Sequence, residues 1–262
     1  MRLALGTVQF GQSYGVANKV GQVPAAEAKA ILEYAALRGI GMLDTAIGYG
    51  DSKQRLGEIG IRDCDECTSG FRQTFGGLHK LYGVEPDMSM FGKALGNGYA
   101  ITGTIGRREI MEAAQSTFIS STFGTERIGP TAALKTLEVM ESIKSWELIT
   151  QIGLGVTARW KALAEKHGLS IKTSGLPAIS SFEVNSLKNI EYKTLVTQEM
   201  LAKGYLATNL LFICTEHSPE VIDRYFEALD PVFGLIRLCE DGKDVMPLLN
   251  GPGCHDGFRR LN

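Results

Sequence analysis

The stretch that decides the fold runs DECTSGFR over residues 65–72, then YGVEPDMSMFGKALGNGY over residues 82–99. An aspartate and a glutamate open it, and a glycine-rich run, GKALGNGYAITG (92–103), carries a single lysine, Lys93. Glycine lacks a Cβ, so backbone of this kind can approach a ligand closely. Residues 76–82 read as a helix that stops before Gly83-Val84-Glu85-Pro86, and residues 87–92 as a short element leading to Lys93. Asp65 stands 28 residues before Lys93. Taken alone, an aspartate in such a place most often caps a turn, because its side chain bonds nearby backbone.

Working downstream, residues 106–115 read as a short helix. PTAALKTLEVMESIKSW (130–146) reads as one amphipathic helix with Leu134, Leu137, Met140 and Ile143 as its stripe and Pro130 in its first turn. Residues 157–167 continue helical, 178–184 alternate like a strand, and 194–203 and 219–233 read as further helices. This mixture predicts a small α+β domain at the C-terminal end. Upstream, residues 2–7 read as a strand and PAAEAKAILEYAALR (24–38) as a helix, with apolar Ala28, Ile31, Leu32, Tyr34 and Ala35. Met42 begins a second strand, and KQRLGEIG (53–60) starts another helix. Strand, helix, strand at this spacing is a βαβ unit and favours a parallel sheet. The pattern then breaks. Arg62, Asp63, Asp65 and Glu66 crowd a place where a buried parallel strand is normally apolar, so a junction is placed at about residues 61–64.

The bulk numbers set bounds. With 44% hydrophobic and 21% charged residues the chain can bury a core. A formal charge of −2 gives no basic face for a nucleic-acid backbone. No apolar run of about 18 residues predicts a membrane span, and the N-terminus reads as a strand and not as a signal peptide, so a cytoplasmic location is expected. Five scattered cysteines do not suggest a disulfide framework. Cys64 and Cys67 form one CxxC without the second pair that structural zinc requires, so no metal is expected. His79, His167, His217 and His255 show no ligand spacing and read as surface residues.

DECTSGFR, YGVEPDMSMFGKALGNGY and STFGTERIGPTAALKTLEVME (121–141) resemble, in order and spacing, three motifs of the class III aminotransferases, which depend on pyridoxal phosphate (PLP). The glutamate-1-semialdehyde aminomutases and aminotransferases of surface-polysaccharide clusters look most similar. LVTQEMLAKGYLATN (195–209) and VIDRYFEALDPVF (221–233) continue the likeness. It implies the end of a fold type I large domain over 63–149 and a C-terminal small domain over 150–262. It implies an enzyme that moves an amino group from a small-molecule donor to a carbonyl acceptor. Lys93 then holds PLP as a Schiff base, and Asp65 partners the pyridine nitrogen. Thr122 bonds the cofactor phosphate of a second subunit, which implies a homodimer. Tyr82, Phe91 and Tyr99 are expected in the core or an interface.

LALGTVQFGQSYGV (3–16) with LDTAIGYGDSKQRLGEIG (43–60) resembles instead the start of an NADPH-dependent aldo/keto reductase, a (β/α)8 barrel. Asp44 and Tyr49 match the catalytic aspartate and tyrosine of its LDTAxxYG motif. The later strands of that barrel are absent, so residues 1–62 read as a fragment. The N-terminal half of a class III enzyme, with its phosphate loop and ring-stacking aromatic, is lacking too. Three readings follow: an aminotransferase or aminomutase weakened by that loss, a reductase remnant, or a non-catalytic fragment that pairs with a complete aminotransferase.

Overall fold

A computed structural model describes residues 4–13, 21–38, 42–44, 50–59, 63–116 and 124–255. They divide into two compact units, Met1–Lys144 and Ser145–Leu261.

The first unit begins with β1 (Ala4–Gly6), the short α1 (Val8–Gly11), α2 (Ala25–Leu37), β2 (Met42–Asp44) and α3 (Ser52–Ile59). β1 and β2 pair in parallel, Ala4 opposite Met42 and Gly6 opposite Asp44, as a βαβ unit requires. Ala28, Leu32 and Ala35 bury one face of α2 at helical spacing. Ala28 and Leu32 join Phe10 and Leu56 in a small core. Tyr34 departs from the expected stripe. It is exposed, and the Arg38 guanidinium lies 5.1 Å above its ring. The Ser52 hydroxyl, at the start of α3, donates to the Thr7 carbonyl oxygen at 2.9 Å, tying that helix to the end of β1.

The same unit continues with β3 (Asp63–Glu66), β4 (Met88–Phe91), β5 (Gly103–Gly106), α4 (Arg108–Glu112) and α5 (Ile128–Ile143). The sheet order is β3-β4-β5, with β3 parallel and β5 antiparallel to β4. The polar segment at the expected junction forms the strand β3, with polar residues where a buried parallel strand is normally apolar. A single turn of 3₁₀ helix, Leu78–Tyr82, stands where a longer helix was expected. Phe91, Leu95 and Ala133 form the core here, with Phe71, Ile101 and Leu137 against it.

The helix read over 130–146 is two helices. Lys144 takes a left-handed backbone conformation (φ 47°, ψ 51°), and its amide donates to the Met140 and Glu141 carbonyl oxygens, closing α5. The expected stripe is also rotated: Leu134 is 71% and Ile143 48% exposed, while Gly129 and Ala133 are buried. A Cβ at Gly129 would lie 2.9 Å from the Ala100 carbonyl oxygen, so small residues let this face come close.

The second unit contains α6 (Ser145–Lys166), β6 (Ile171–Leu176), β7 (Ile179–Val184), α7 (Asn189–Ala202), β8 (Leu210–Phe212) and α8 (Pro219–Glu240). β6, β7 and β8 make an antiparallel sheet, with Pro177 and Ala178 turning the β6–β7 hairpin. This is the α+β domain that the sequence predicts. Its core gathers Trp160 of α6, Phe182 of β7, Leu195 and Met200 of α7, and Leu229 and Phe233 of α8. The Phe182 ring lies 5.0 Å from Trp160 and 5.5 Å from Phe233. The Trp160 indole N–H donates to Tyr225 Oη at 3.1 Å, satisfying a buried donor. Burial pushes the Tyr225 phenol above its ordinary value. Ser218 caps α8 ahead of Pro219, its hydroxyl accepting from the Val221 amide.

No helix among the described residues is long and apolar enough to cross a membrane.

Candidate active site

β3 and β4 run in parallel, so their carboxyl ends open on the same side, where α/β sheets hold ligands. Beyond β3 the chain turns sharply. The Gly70 amide donates to the Glu66 carbonyl oxygen at 2.8 Å. A Cβ at Gly70 would stand 2.6 Å from that same oxygen, so only glycine fits. The Asp65 carboxylate accepts from the Cys67 amide at 2.8 Å, which is the turn-capping arrangement weighed for it from sequence. Arg72 Nε donates to the Thr68 carbonyl oxygen at 2.7 Å, and burial pushes its guanidinium below its ordinary value. Phe71 adopts a positive φ of 61° and sets its ring 5.4 Å from Phe91.

Beyond β4 comes Gly92, where a Cβ would meet Thr102 at 3.3 Å and Cys67 Sγ at 3.4 Å. Lys93 follows with φ 42°, a conformation uncommon outside glycine, and its carbonyl oxygen accepts from the Gly96 and Asn97 amides. Its side chain is solvent-accessible, and Nζ donates to Thr68 Oγ1 at 2.6 Å. The two strand-end loops are thereby joined through this amine.

Behind the turn lies Glu66, 3% exposed. Its Oε1 accepts from the His79 amide at 3.0 Å and lies 3.0 Å from His79 Nδ1, while Ser69 Oγ donates to Oε2. Burial pushes this carboxyl up. The hydrogen bonds from Ser69 and from the His79 and Leu78 amides and the His79 ring outweigh burial, holding it below its ordinary value. Cys64, Glu66 and His79 present donor atoms within 4.8 Å of one another. The carboxylate of that trio is already engaged by Ser69 and His79.

Among the sequence candidates, Lys93 and Asp65 occupy neighbouring strand ends. Asp44 is the last residue of β2. Tyr49 and Thr122 lie outside the described residues. Phe91 is core, but Tyr82 and Tyr99 are exposed. His79 and His167 are not surface groups: His79 is held by Glu66, and His167 Nε2 pairs with Asp230. All five cysteines are free thiols, and the one nearest a donor cluster is Cys64 without Cys67. Thr68 and the Glu66–His79 pair were not found from sequence. Register between β3 and β4 was the signal that leads to Thr68.

Residues 64–211 match the family model for aminotransferase class-III. The chain belongs to the aminotransferase class-III family. Residues 2–92 also match the model of the aldo/keto reductase family, overlapping the first match over 64–92. The 3-aminobutyryl-CoA aminotransferase of Cloacimonas acidaminovorans is 33% identical over 174 residues, 63% of this chain and 41% of that protein. The glutamate-1-semialdehyde 2,1-aminomutase of Methanocaldococcus jannaschii is 26% identical over 186 residues, 64% of this chain and 43% of that protein. A solved transaminase with PLP bound superposes with a TM-score of 0.63 at 20% identity, over 83% of this chain and 57% of that one. The fold of this class-III chain is therefore that of the PLP transaminases in part, with an α/β N-terminal piece that fits the aldo/keto reductase match. The chain spans less than half the length of the two curated relatives named here.

Proposed function

We propose that the chain is a PLP-dependent aminotransferase or aminomutase, with Lys93 as the cofactor lysine and Asp65 as the partner of the pyridine nitrogen. One observation carries the reading: an accessible primary amine stands at the carboxyl end of β4, beside the parallel strand that bears Asp65. These residues fit such a group. The amine can reach an aldehyde, the carboxylate can face a protonated ring nitrogen, and Gly92 and Gly96 keep the intervening backbone close-packed. PLP, when bound, supplies an electron sink for the substrate carbon. Lys93 binds the cofactor and afterwards carries a proton on Nζ. Asp65, steadied by the Cys67 amide, keeps a positive charge on its partner nitrogen favourable.

The substrates are a small-molecule amino donor and a carbonyl acceptor. Thr122 contacts the cofactor phosphate of a second subunit, so the working form is a cytoplasmic homodimer. Residues 1–62 form a reductase-like segment, 63–149 the end of the cofactor-binding domain and 150–262 the small domain. Residues 1–62 offer no counterpart to the family's phosphate loop, so transfer by the chain alone is expected to be weak. Incubation with PLP followed by borohydride tests the reading: the added mass should sit on the peptide bearing Lys93 and vanish in Lys93→Ala. Mass on another lysine, or on none, refutes it. Co-purification with a complete class III aminotransferase, without cofactor uptake, would instead mark a non-catalytic fragment.

The aldo/keto reductase match of residues 2–92 supports a second, lesser reading in which Asp44 and Tyr49 are remnants of a reductase site. NADPH-dependent aldehyde reduction is then expected to be equally absent from the chain and from Tyr49→Phe. A reduction rate that falls in the variant would revive the reductase.

A further inference from the structure

We propose that Thr68 is a positioning residue for Lys93, holding the amine at the carboxyl end of β3 whether or not the amine carries its extra proton. The inference rests on the reading of Lys93 as the cofactor lysine.

The placement follows from backbone register. Asp63 faces Met88 and Glu66 faces Phe91, so partners in β3 and β4 are 25 positions apart. Thr68 and Lys93 keep that offset of 25 two residues past the last pair. The contact is between side chains, stands at 2.6 Å, and joins the turn after β3 to the first residue of the 3₁₀ turn after β4. Thr68 is itself anchored, because Arg72 Nε holds its carbonyl oxygen at 2.7 Å. A β-branched side chain on a held backbone has few χ1 choices, so the hydroxyl direction is set as well.

A threonine suits this task chemically. Its hydroxyl accepts a hydrogen bond from an ammonium and donates one to the lone pair of a neutral amine. A carboxylate could only accept from the amine, and a backbone amide could only donate to its lone pair. The long lysine side chain otherwise wanders among many rotamers, and one bond at its tip removes much of that freedom. When the amine is neutral and accepts from the hydroxyl, the bond also withholds the nitrogen lone pair from other reagents until the hydroxyl lets go.

Acylation by a brief pulse of an amine reagent, read by mass spectrometry at Lys93 and at Lys80, tests this on the chain without cofactor. Lys80 serves as control because its amine bonds the Phe75 carbonyl oxygen and not Thr68. Thr68→Val should raise acylation of Lys93 about three- to fivefold, the worth of one hydrogen bond, with Lys80 unchanged. Thr68→Ser should restore the original rate, and Thr68→Ala should repeat the valine result. Equal labelling of Lys93 in all variants overturns the proposal, as does failure of serine to rescue. A rise at Lys80 as large as at Lys93 also counts against it, since the variant has then loosened the loop at large. Borohydride trapping of PLP on Lys93 separates the two claims: its failure removes the cofactor role, whereas unchanged acylation with successful trapping removes only the role of Thr68.

Discussion

At the scale of single residues, Glu66 shows how a charged side chain on a strand can be buried. Four donors from residues 69–79 converge on its carboxylate, so the charge is matched within the protein. Glu66→Gln keeps the shape and loses the charge. It should cost about 1–3 kcal/mol near neutral pH, the usual worth of hydrogen bonds to a charged group. The pH dependence has a definite sign. A carboxyl held below its ordinary value of 4.5 contributes stability above that pH and loses it as pH falls through the lowered value. Urea titrations of both proteins should therefore diverge at pH 7, begin to converge as pH falls past about 4.5 and meet only below the lowered value; a gap that persists there would contradict the account. Asp65 and Lys93 stand out in sequence because an acid, a glycine turn and a lysine recur at a family spacing; the structure sets them at neighbouring strand ends, and their roles remain proposals. Glu66 and His79 do not stand out, because nothing in a single sequence pairs an acid with an imidazole 13 positions later.

At the scale of elements, hydrophobic spacing found α2, β7 and α8 but misjudged α5. Leu134 and Ile143 match a helical stripe but are exposed; the face that packs runs through Gly129, Ala133 and Leu137, so only Leu137 of the expected stripe reaches the core, and backbone approach at Gly129 supplies part of the contact. Small residues leave no periodic hydrophobic signal. The same principle governs α6. Gly153 lies against the β6–β7 turn so closely that an added Cβ would sit 1.8 Å from the Pro177 carbonyl oxygen. Gly153→Ala should cost about 1–3 kcal/mol or more through overpacking, despite alanine's better helix propensity. Denaturant unfolding measures it, and an unchanged or raised midpoint would show that the hairpin moves aside freely.

At the scale of the molecule, the division into Met1–Lys144 and Ser145–Leu261 separates two kinds of construction. The second unit has one continuous core, centred on Trp160, Phe182 and Phe233. Phe233→Ala should cost about 3–5 kcal/mol there, read by urea unfolding followed through tryptophan emission. A loss under about 1 kcal/mol would mean the core collapses onto the gap. Among its described residues the first unit holds two small clusters, one around Phe10 and one around Phe91. The sequence places a change of character at about residues 61–64, and the two family models overlap just beyond it, over residues 64–92. The roles expected of Lys93, Asp65, Thr122, Asp44 and Tyr49 all stand as proposals.

The parallel pairing of β3 with β4 has a consequence for how this protein can change over generations. The rungs between β3 and β4 set where the chain reaches Lys93, so changes of length in the connection from Phe71 to Asp87 are tolerable where they spare Phe71 and the Leu78–His79 segment that holds Glu66. A slip of one rung between the strands is a different event: it would turn every side chain past Met88 to the opposite side and take the lysine with it. Drift in length is tolerable here, and drift in alignment is not.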